Sequence, residues 1–523
     1  MLRTLAVLAT AVATQGFVQL HAADCAALKQ LSLQNTTITL AESVTSGTLT
    51  PSGAEPLNKL PALCRVAGVL RPTSDSAIHF EVWMPDRDWN GRLLGTGNGG
   101  FAGSIAFRQM GGYLMRGFAV SGSDAGHRAE AGDASWAFGH PEKVKDFGWR
   151  AVHLTAETAK QIIQAYYGKP QSKAYFDACS DGGREALMEA QRFPEDYDGI
   201  LAGAPANYWS HLIGAAVAAT QSLTLDPRSY ISDVELPAIQ KASLAACDAL
   251  DGVKDGIVAD PTRCHFDPEV LLCKGEESPD CLTQPQIDAL KSLYGGARSH
   301  QGATLFPGLT MGDETGWGIW VVGEGPGASA AALYAQNDFR YIVTSDPKWN
   351  ALAVDLDDSV RQSTEKTAAD LDSTDPDLSR FAARGGKLIL YHGWNDPAIS
   401  PLNTIAYYRS VQQQMGAEKA DSFTRLYMAP GVEHCIGGPG PSSFGQFGTP
   451  TAKGSKFGLF DALEDWVEKH TPPPDVFATK YASGEGGGMK AVMTRPLCAW
   501  PRVAKYNGSG DPNDAASFAC AAP

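Results

Sequence analysis

Strand-like runs and helical patterns alternate through residues 79–205 of this chain, stop, and resume after about residue 380. In the first block His79-Phe80-Glu81-Val82-Trp83, Arg92-Leu93-Leu94, Phe118-Ala119-Val120 and Ala174-Tyr175-Phe176 read as strands, with helices over about 149–167 and 182–193. In the second, Lys387-Leu388-Ile389-Leu390-Tyr391 and Phe423-Thr424-Arg425-Leu426-Tyr427 read as strands, with helices over about 402–416 and 457–470. Alternation of this kind is the signature of an α/β fold. The stretch between the blocks, 206–378, carries four cysteines, clustered Asp-Gly turns and several tryptophans, and shows no such alternation. It reads as an insertion rather than a linker. With 523 residues, 43% apolar and 19% charged, the chain can bury the large core this arrangement requires.

The first residues and the cysteines bound the compartment. Residues 2–20 combine one early positive charge, Arg3, with an apolar stretch, and Ala22-Ala23 follows. Residues 1–23 are therefore expected to be a cleaved export signal, and the mature chain to be secreted or periplasmic. Thr14, Gln15 and Gln19 interrupt the apolar run and leave it too short to span a membrane. Ten cysteines, at 25, 64, 179, 247, 264, 273, 281, 435, 498 and 520, are an even number, which in an exported chain points to five disulfides. Zinc is the alternative, because Cys264-His265 and His434-Cys435 place both ligand types together, but no Cys-x-x-Cys pair supports it. Lys plus Arg number 43 against 58 Asp plus Glu, a net charge of −15, which argues against a nucleic-acid partner. A neutral or weakly charged substrate fits better.

The chemistry starts at Cys179-Ser180-Asp181-Gly182-Gly183-Arg184-Glu185, between the strand Lys173–Ala178 and a helix. A serine hydroxyl attacks well only when a strained turn holds it out of the sheet toward a base, and small residues two before and two after permit that turn. Here they are Ala178 and Gly182. The amide of Asp181 would face a developing oxyanion. An ordinary β-to-α turn capped by Ser180 is the competing reading.

Partners for the serine follow in the order Ser, Asp, His, each in a loop after a late strand. Lys387–Tyr391 runs into His392-Gly393-Trp394-Asn395-Asp396, and Phe423–Met428 into Ala429-Pro430-Gly431-Val432-Glu433-His434-Cys435. Asp396 would orient His434 while that ring takes the proton from Ser180. His392, at the strand end, is the competing base. A Cys179–Cys435 bridge would hold Ser180 beside His434 although they stand 434 − 180 = 254 positions apart. A free Cys179 acting as nucleophile is the rival to that bridge.

Two further segments carry alternatives. Gly95-Thr96-Gly97-Asn98-Gly99-Gly100 fits the dinucleotide-binding fingerprint, with Asp124 after the next strand, and would make the protein a nicotinamide-dependent oxidoreductase. Phe101-Ala102-Gly103-Ser104 starts a helix poorly, however, and hydrolases place a second oxyanion donor on such a loop. The expected donor is the amide of Asn98 or Gly99, with Asn98 favoured. Residues 247–257 place Asp248, Asp251 and Asp255 in one turn, which is either a calcium site or two solvated Asp-Gly turns.

The block Cys179–Glu185 together with His434-Cys435 resembles the tannase and feruloyl esterase family, which also includes mono(hydroxyethyl) terephthalate hydrolases. The resemblance extends to Gln191-Arg192-Phe193-Pro194, Asp198-Gly199-Ile200, Ala202-Gly203-Ala204-Pro205 and Gly508-Ser509-Gly510-Asp511. It implies an α/β-hydrolase core over 24–205 and 379–523 with a lid domain over 206–378, and a triad of Ser180, Asp396 and His434. It also implies the bridges Cys25–Cys64, Cys179–Cys435, Cys247–Cys264, Cys273–Cys281 and Cys498–Cys520. A structural calcium ion would sit on Asp248, Asp251, Asp255 and the carbonyls of Val253 and Ile257, and no organic cofactor is implied. The implied activity is hydrolysis of small aromatic esters, hydroxycinnamates or gallates, through an acyl-enzyme. Expected substrate contacts are Trp209, Trp317 and Ile399, with Tyr208, Trp320 and Tyr334 as further lid rings. Relatives that cleave the terephthalate monoester are thought to place an Arg after a Gly-Trp pair. Gly318 follows Gly316-Trp317 here, which weakens that alternative.

Overall fold

The computed structural model describes residues 24–449, 458–483 and 488–523. The expected export signal lies outside them. Nine strands form the central sheet: β1 (Thr36–Val44), β2 (Leu63–Leu70), β3 (Ile78–Pro85), β4 (Arg92–Thr96), β5 (Ala119–Ser123), β6 (Lys173–Cys179), β7 (Gly199–Gly203), β8 (Lys387–Gly393) and β9 (Thr424–Ala429). Their order is β1-β2-β3-β5-β4-β6-β7-β8-β9. The first three pair antiparallel and join β5 antiparallel, and from β5 to β9 every pairing is parallel. The parallel run from β5 onward is what the α/β alternation implied, and the structure adds an inversion of β4 and β5 in the sheet order.

Strand side chains alternate faces, and here both faces are apolar because helices cover each. Leu93, Phe176, Ile200, Leu388, Leu390 and Leu426 point to one face, where α2 (Ala151–Tyr167), α3 (Asp181–Arg192) and α5 (Pro401–Met415) pack. Their immediate neighbours Leu94, Tyr175, Leu201, Ile389, Tyr391 and Tyr427 point to the other, against α1 (Phe107–Leu114) and α6 (Leu459–Lys469). A single-residue slip of β8 would exchange Leu388 and Leu390 for Ile389 and Tyr391 and misfit both layers, so the register is strongly specified.

Between β7 and β8 the chain leaves the sheet. This segment holds the helices α4 (Trp209–Thr224), Leu236–Cys247, Gln284–Gly295, Ala330–Asn337 and Leu356–Leu371, and a two-stranded ribbon of Ala297–Arg298 with Thr304–Phe306. Trp209, Ile213 and Val217 of α4 belong to the same apolar cluster as the sheet, together with Phe339 and Leu371. Leu223, Ile239, Leu290, Trp317 and Val321 form a cluster of the segment's own. The inserted chain is thus rooted in the core before it builds a second one. All ten cysteines are paired, as Cys25–Cys64, Cys179–Cys435, Cys247–Cys264, Cys273–Cys281 and Cys498–Cys520. Among the described residues no helix is long and apolar enough to cross a membrane.

Candidate active site

Ser180, Asp396 and His434 all stand just past the carboxyl ends of parallel strands, β6, β8 and β9 respectively. Loops at that edge of an open α/β sheet converge, because the strands run the same way. Ser180 has φ 68° and ψ −126°, a conformation that side chains other than glycine avoid, and it is the residue on which β6 turns into α3. The sharpness of the turn explains the small residues around it. A Cβ on Gly182 would stand 2.6 Å from the Cβ of Ala178 and 2.9 Å from the carbonyl oxygen of Asn98. One methyl is tolerated there because its partner has none.

Each remaining position of the motif has work in the fold. The Asp181 carboxylate accepts from Nε of Arg184 at 2.5 Å, and Arg184, fully buried, donates its other groups to the carbonyls of Phe147 and Gly148. The Glu185 carboxyl accepts the amide of Asn98 at 2.9 Å, and Gly182 donates to the Asn98 carbonyl. The glycine loop is therefore pinned onto the start of α3. Burial pushes the Glu185 carboxyl well up, and the charge of Asp181 adds to it.

The hydroxyl of Ser180 lies 2.8 Å from Nε2 of His434, and Nδ1 of His434 lies 2.7 Å from Oδ2 of Asp396. Burial alone would raise the Asp396 carboxyl, but the charge of His434 and hydrogen bonds from His392 and His434 outweigh it and hold the group well below the usual carboxylate range. The Cys179–Cys435 bridge joins the residue before the serine to the residue after the histidine. His392 is fully buried and its Nε2 faces Asp396 at 3.0 Å, so the competing base does not reach the serine.

A cavity opens over Ser180 and His434, walled by Trp209, Ile399, Trp320, Tyr334 and the apolar face of α4 at Leu212 and Ile213. Of the expected substrate contacts, Trp209 and Ile399 lie on this wall. Trp317 is not: it is buried against Tyr294 in the inserted segment's own core, with ring centroids 5.5 Å apart. The reason is a wide turn over Gly318–Val322, closed by the Gly323 amide on the Gly318 carbonyl five residues back. That turn rotates Trp320 away from Trp317 and sets its ring edge-on to His434, centroids 5.4 Å apart. Tyr208 stacks on His211 outside the cavity.

The preference for Asn98 as second oxyanion donor is also corrected, because its amide is spent on Glu185. Among the described residues the amides of Gly99, Gly100 and Asp181 have no protein acceptor, and Gly100 and Asp181 line the cavity. The dinucleotide reading of this loop fails on geometry. Among the described residues no helix begins between Gly100 and Phe107, and the Asp124 carboxylate is engaged by the ring and the amide of His79.

With this site in view, the comparison with known sequences is decisive: the profile of the tannase and feruloyl esterase family matches residues 64–521. The chain belongs to that family. It is a carboxylic ester hydrolase with an α/β-hydrolase fold. It is similar to an uncharacterized esterase from Xanthomonas campestris, 41% identical over 99% of this chain and 94% of that one. A probable feruloyl esterase B-2 from Aspergillus flavus is 34% identical over 80% of each chain. Among solved structures, feruloyl esterase B from Aspergillus oryzae superposes with a TM-score of 0.87 at 28% identity, covering 95% of this chain and 99% of its own.

The esterase also carries its acidic turn in a defined form. Asp248 accepts from the amides of Asp255, Gly256 and Ile257, and Asp255 pairs with Arg495 at 2.6 Å. Burial pushes the Asp251 carboxyl up to about 6, with the charges of Asp255 and Asp248 adding to it. A small void lies against Asp251 and Ile257. Three hard oxygen donors, one of them buried and repelled by the others, suit a divalent cation such as calcium, although Arg495 already neutralises Asp255. Two residues of the catalytic neighbourhood went unassigned in the sequence, Arg184 and Glu185. Their signal was present: charged side chains beside Ala186-Leu187-Met188, in a helix start with no solvent face.

Proposed function

We propose that this protein is a secreted or periplasmic serine esterase that cleaves phenolic esters, of hydroxycinnamic or gallic acid, through an acyl-enzyme. The observation that carries the reading is the unbroken chain Ser180 Oγ, His434, Asp396, at 2.8 and 2.7 Å, opening into a cavity walled by aromatic rings. Ser180 Oγ attacks the ester carbonyl carbon as its proton passes to Nε2 of His434. The carbonyl oxygen gathers negative charge and is met by the amide of Asp181 and those of the Gly99-Gly100 turn. His434 then gives the proton to the departing alcohol, and water, activated by the same ring, releases the acid. Asp396 stays ionised throughout and stabilises the imidazolium. Trp209, Trp320 and Tyr334 offer flat apolar faces on which a phenolic acyl group stacks. Five disulfides and the leader-like first residues support export.

A hydrolysis screen over methyl ferulate, methyl gallate and the terephthalate monoester tests this. The expected result is release of ferulate or gallate at least about tenfold faster than of terephthalate, since one matched contact is worth 1–3 kcal/mol. Folded enzyme that spares both phenolic esters would overturn the substrate assignment.

We also propose that Asp248, Asp251 and Asp255, with the carbonyls of Val253 and Ile257, hold a structural calcium ion. It would supply positive charge to a crowded turn and take no part in the ester chemistry. Chelation should lower Tm by roughly 5–10 °C and leave the initial rate nearly unchanged. An unmoved Tm with no calcium by elemental analysis removes the ion.

A further inference from the structure

Asp396 serves two imidazoles. Its Oδ2 lies 2.7 Å from Nδ1 of His434 and 3.0 Å from Nε2 of His392, while Oδ1 accepts from the amides of Ala398 at 2.8 Å and Ile399 at 2.9 Å. The His392 ring is fully buried at the end of β8. Its Nε2 also lies 3.1 Å from the carbonyl of Ile399, and its Nδ1 lies 2.8 Å from Oγ1 of Thr404 in α5. A carbonyl can only accept, so Nε2 carries a proton, and Nδ1 of the neutral ring accepts from the threonine hydroxyl. In that tautomer both ring nitrogens of His392 and both oxygens of the carboxylate are paired, and Asp396 receives four N–H donors.

We propose that His392 is a positioning residue of the catalytic relay, fixing the Asp396 carboxylate against His434 and taking up part of its charge. The inference rests on the reading of Ser180, Asp396 and His434 as that relay. Two donors converge on Oδ2, so the negative charge facing His434 is shared. Remove the His392 donor and the whole of it falls on the His434 N–H. The imidazolium form of His434 is then favoured, and the base is lost to protonation at a higher pH. The other titratable groups nearby are Glu433, in the loop of His434; Asp313, which faces Glu433 from the inserted segment; and Asp181 at the start of α3, paired with Arg184. Among the described residues, none of these hydrogen-bonds to Asp396. They are unchanged in the variants below, so a difference reports on His392.

Two substitutions separate the donor from the ring. In His392→Gln the amide nitrogen reaches the place of Nε2 and still donates to Asp396. In His392→Asn the side chain is too short and reaches only toward Thr404. His392→Asn should lower kcat about 10–100-fold, the usual cost of losing an outer partner, with little change in KM. Its acid limb in the pH profile of kcat/KM should move up by about 0.5–1 unit. His392→Gln should keep the wild-type limb and most of kcat. A wild-type profile in folded His392→Asn, or equal losses in both variants without movement of the limb, overturns the proposal. Should His392→Asn fail to fold, Thr404→Val loosens the same ring in place and should move the limb the same way; an unmoved limb there overturns it equally. Full activity of Ser180→Ala would instead strike at the underlying relay, so the two failures are distinguishable.

Discussion

Replacing Ser180 with Ala should lower kcat by about 10⁵–10⁶-fold, the cost seen when a serine nucleophile is removed, while Tm stays within a degree or two. The two parts of that expectation have separate grounds. Ser180 holds φ 68°, and alanine meets the same backbone cost there as serine, so the turn into α3 is no more strained. The hydroxyl lies 2.8 Å from His434 and makes no other hydrogen bond among the described residues, so its loss leaves no other buried partner stranded. The residual rate should not fall further in Ser180→Ala combined with His434→Ala, because members of a relay act as a unit. A single turnover with burst-phase release of alcohol should be seen in the wild type and be absent in the variant. Retention of more than a few per cent of kcat in pure Ser180→Ala sinks the nucleophile. It would also reopen attack by a thiol, which the paired state of Cys179 closes.

What could be read in advance divides along physical lines. β8, buried on both faces, was legible because Leu388-Ile389-Leu390-Tyr391 can be little else between turn signals. The edge strand β1 and its neighbour β2 were missed, as was β7, a short strand with glycine at each end. Thr36–Val44 alternates weakly, and its burial depends on the Cys25–Cys64 bridge and the short helix at Cys25–Gln30 more than on its own pattern. Ser180, Asp396 and His434 were legible because a strained turn and two strand-end loops leave local marks. The wall of the cavity was legible only in part. Whether Trp317 or Trp320 faces His434 is decided by one widened turn, and no periodicity in Gly316-Trp317-Gly318-Ile319-Trp320 specifies it. Asn98 failed for a related reason: its amide was assigned by position in the loop, and its owner, Glu185, lies 87 residues away.

Removing the bridge between Cys179 and Cys435, as Cys179→Ala with Cys435→Ala, should be the most damaging change outside the relay. The two cysteines are separated by 256 positions, and β7 and β8 lie between β6 and β9 in the sheet. Only the loop that follows β9 brings His434 back across those strands to the serine. In the loop-entropy account, closing so long a segment is worth roughly 5 kcal/mol, against roughly 3 for a short one. Cys498–Cys520, separated by 22, is the matched control. Its removal should cost less in Tm and leave kcat within about twofold, since the cavity wall and the relay geometry are untouched and losses remote from the site act mainly on stability. Loss of the longer bridge should also lower kcat by at least about 100-fold at temperatures where the protein remains folded. A misplacement of about 1 Å between hydroxyl and ring is enough for that. Cys435 itself holds φ 65°, a conformation that the loop must impose and that the sulfur link helps to retain. The same test can be run by reduction with mass-spectrometric proof of the free thiols. Undiminished turnover with this one bridge open would mean that strand packing alone carries His434 to the serine, and the sulfur would be left with stability as its sole contribution.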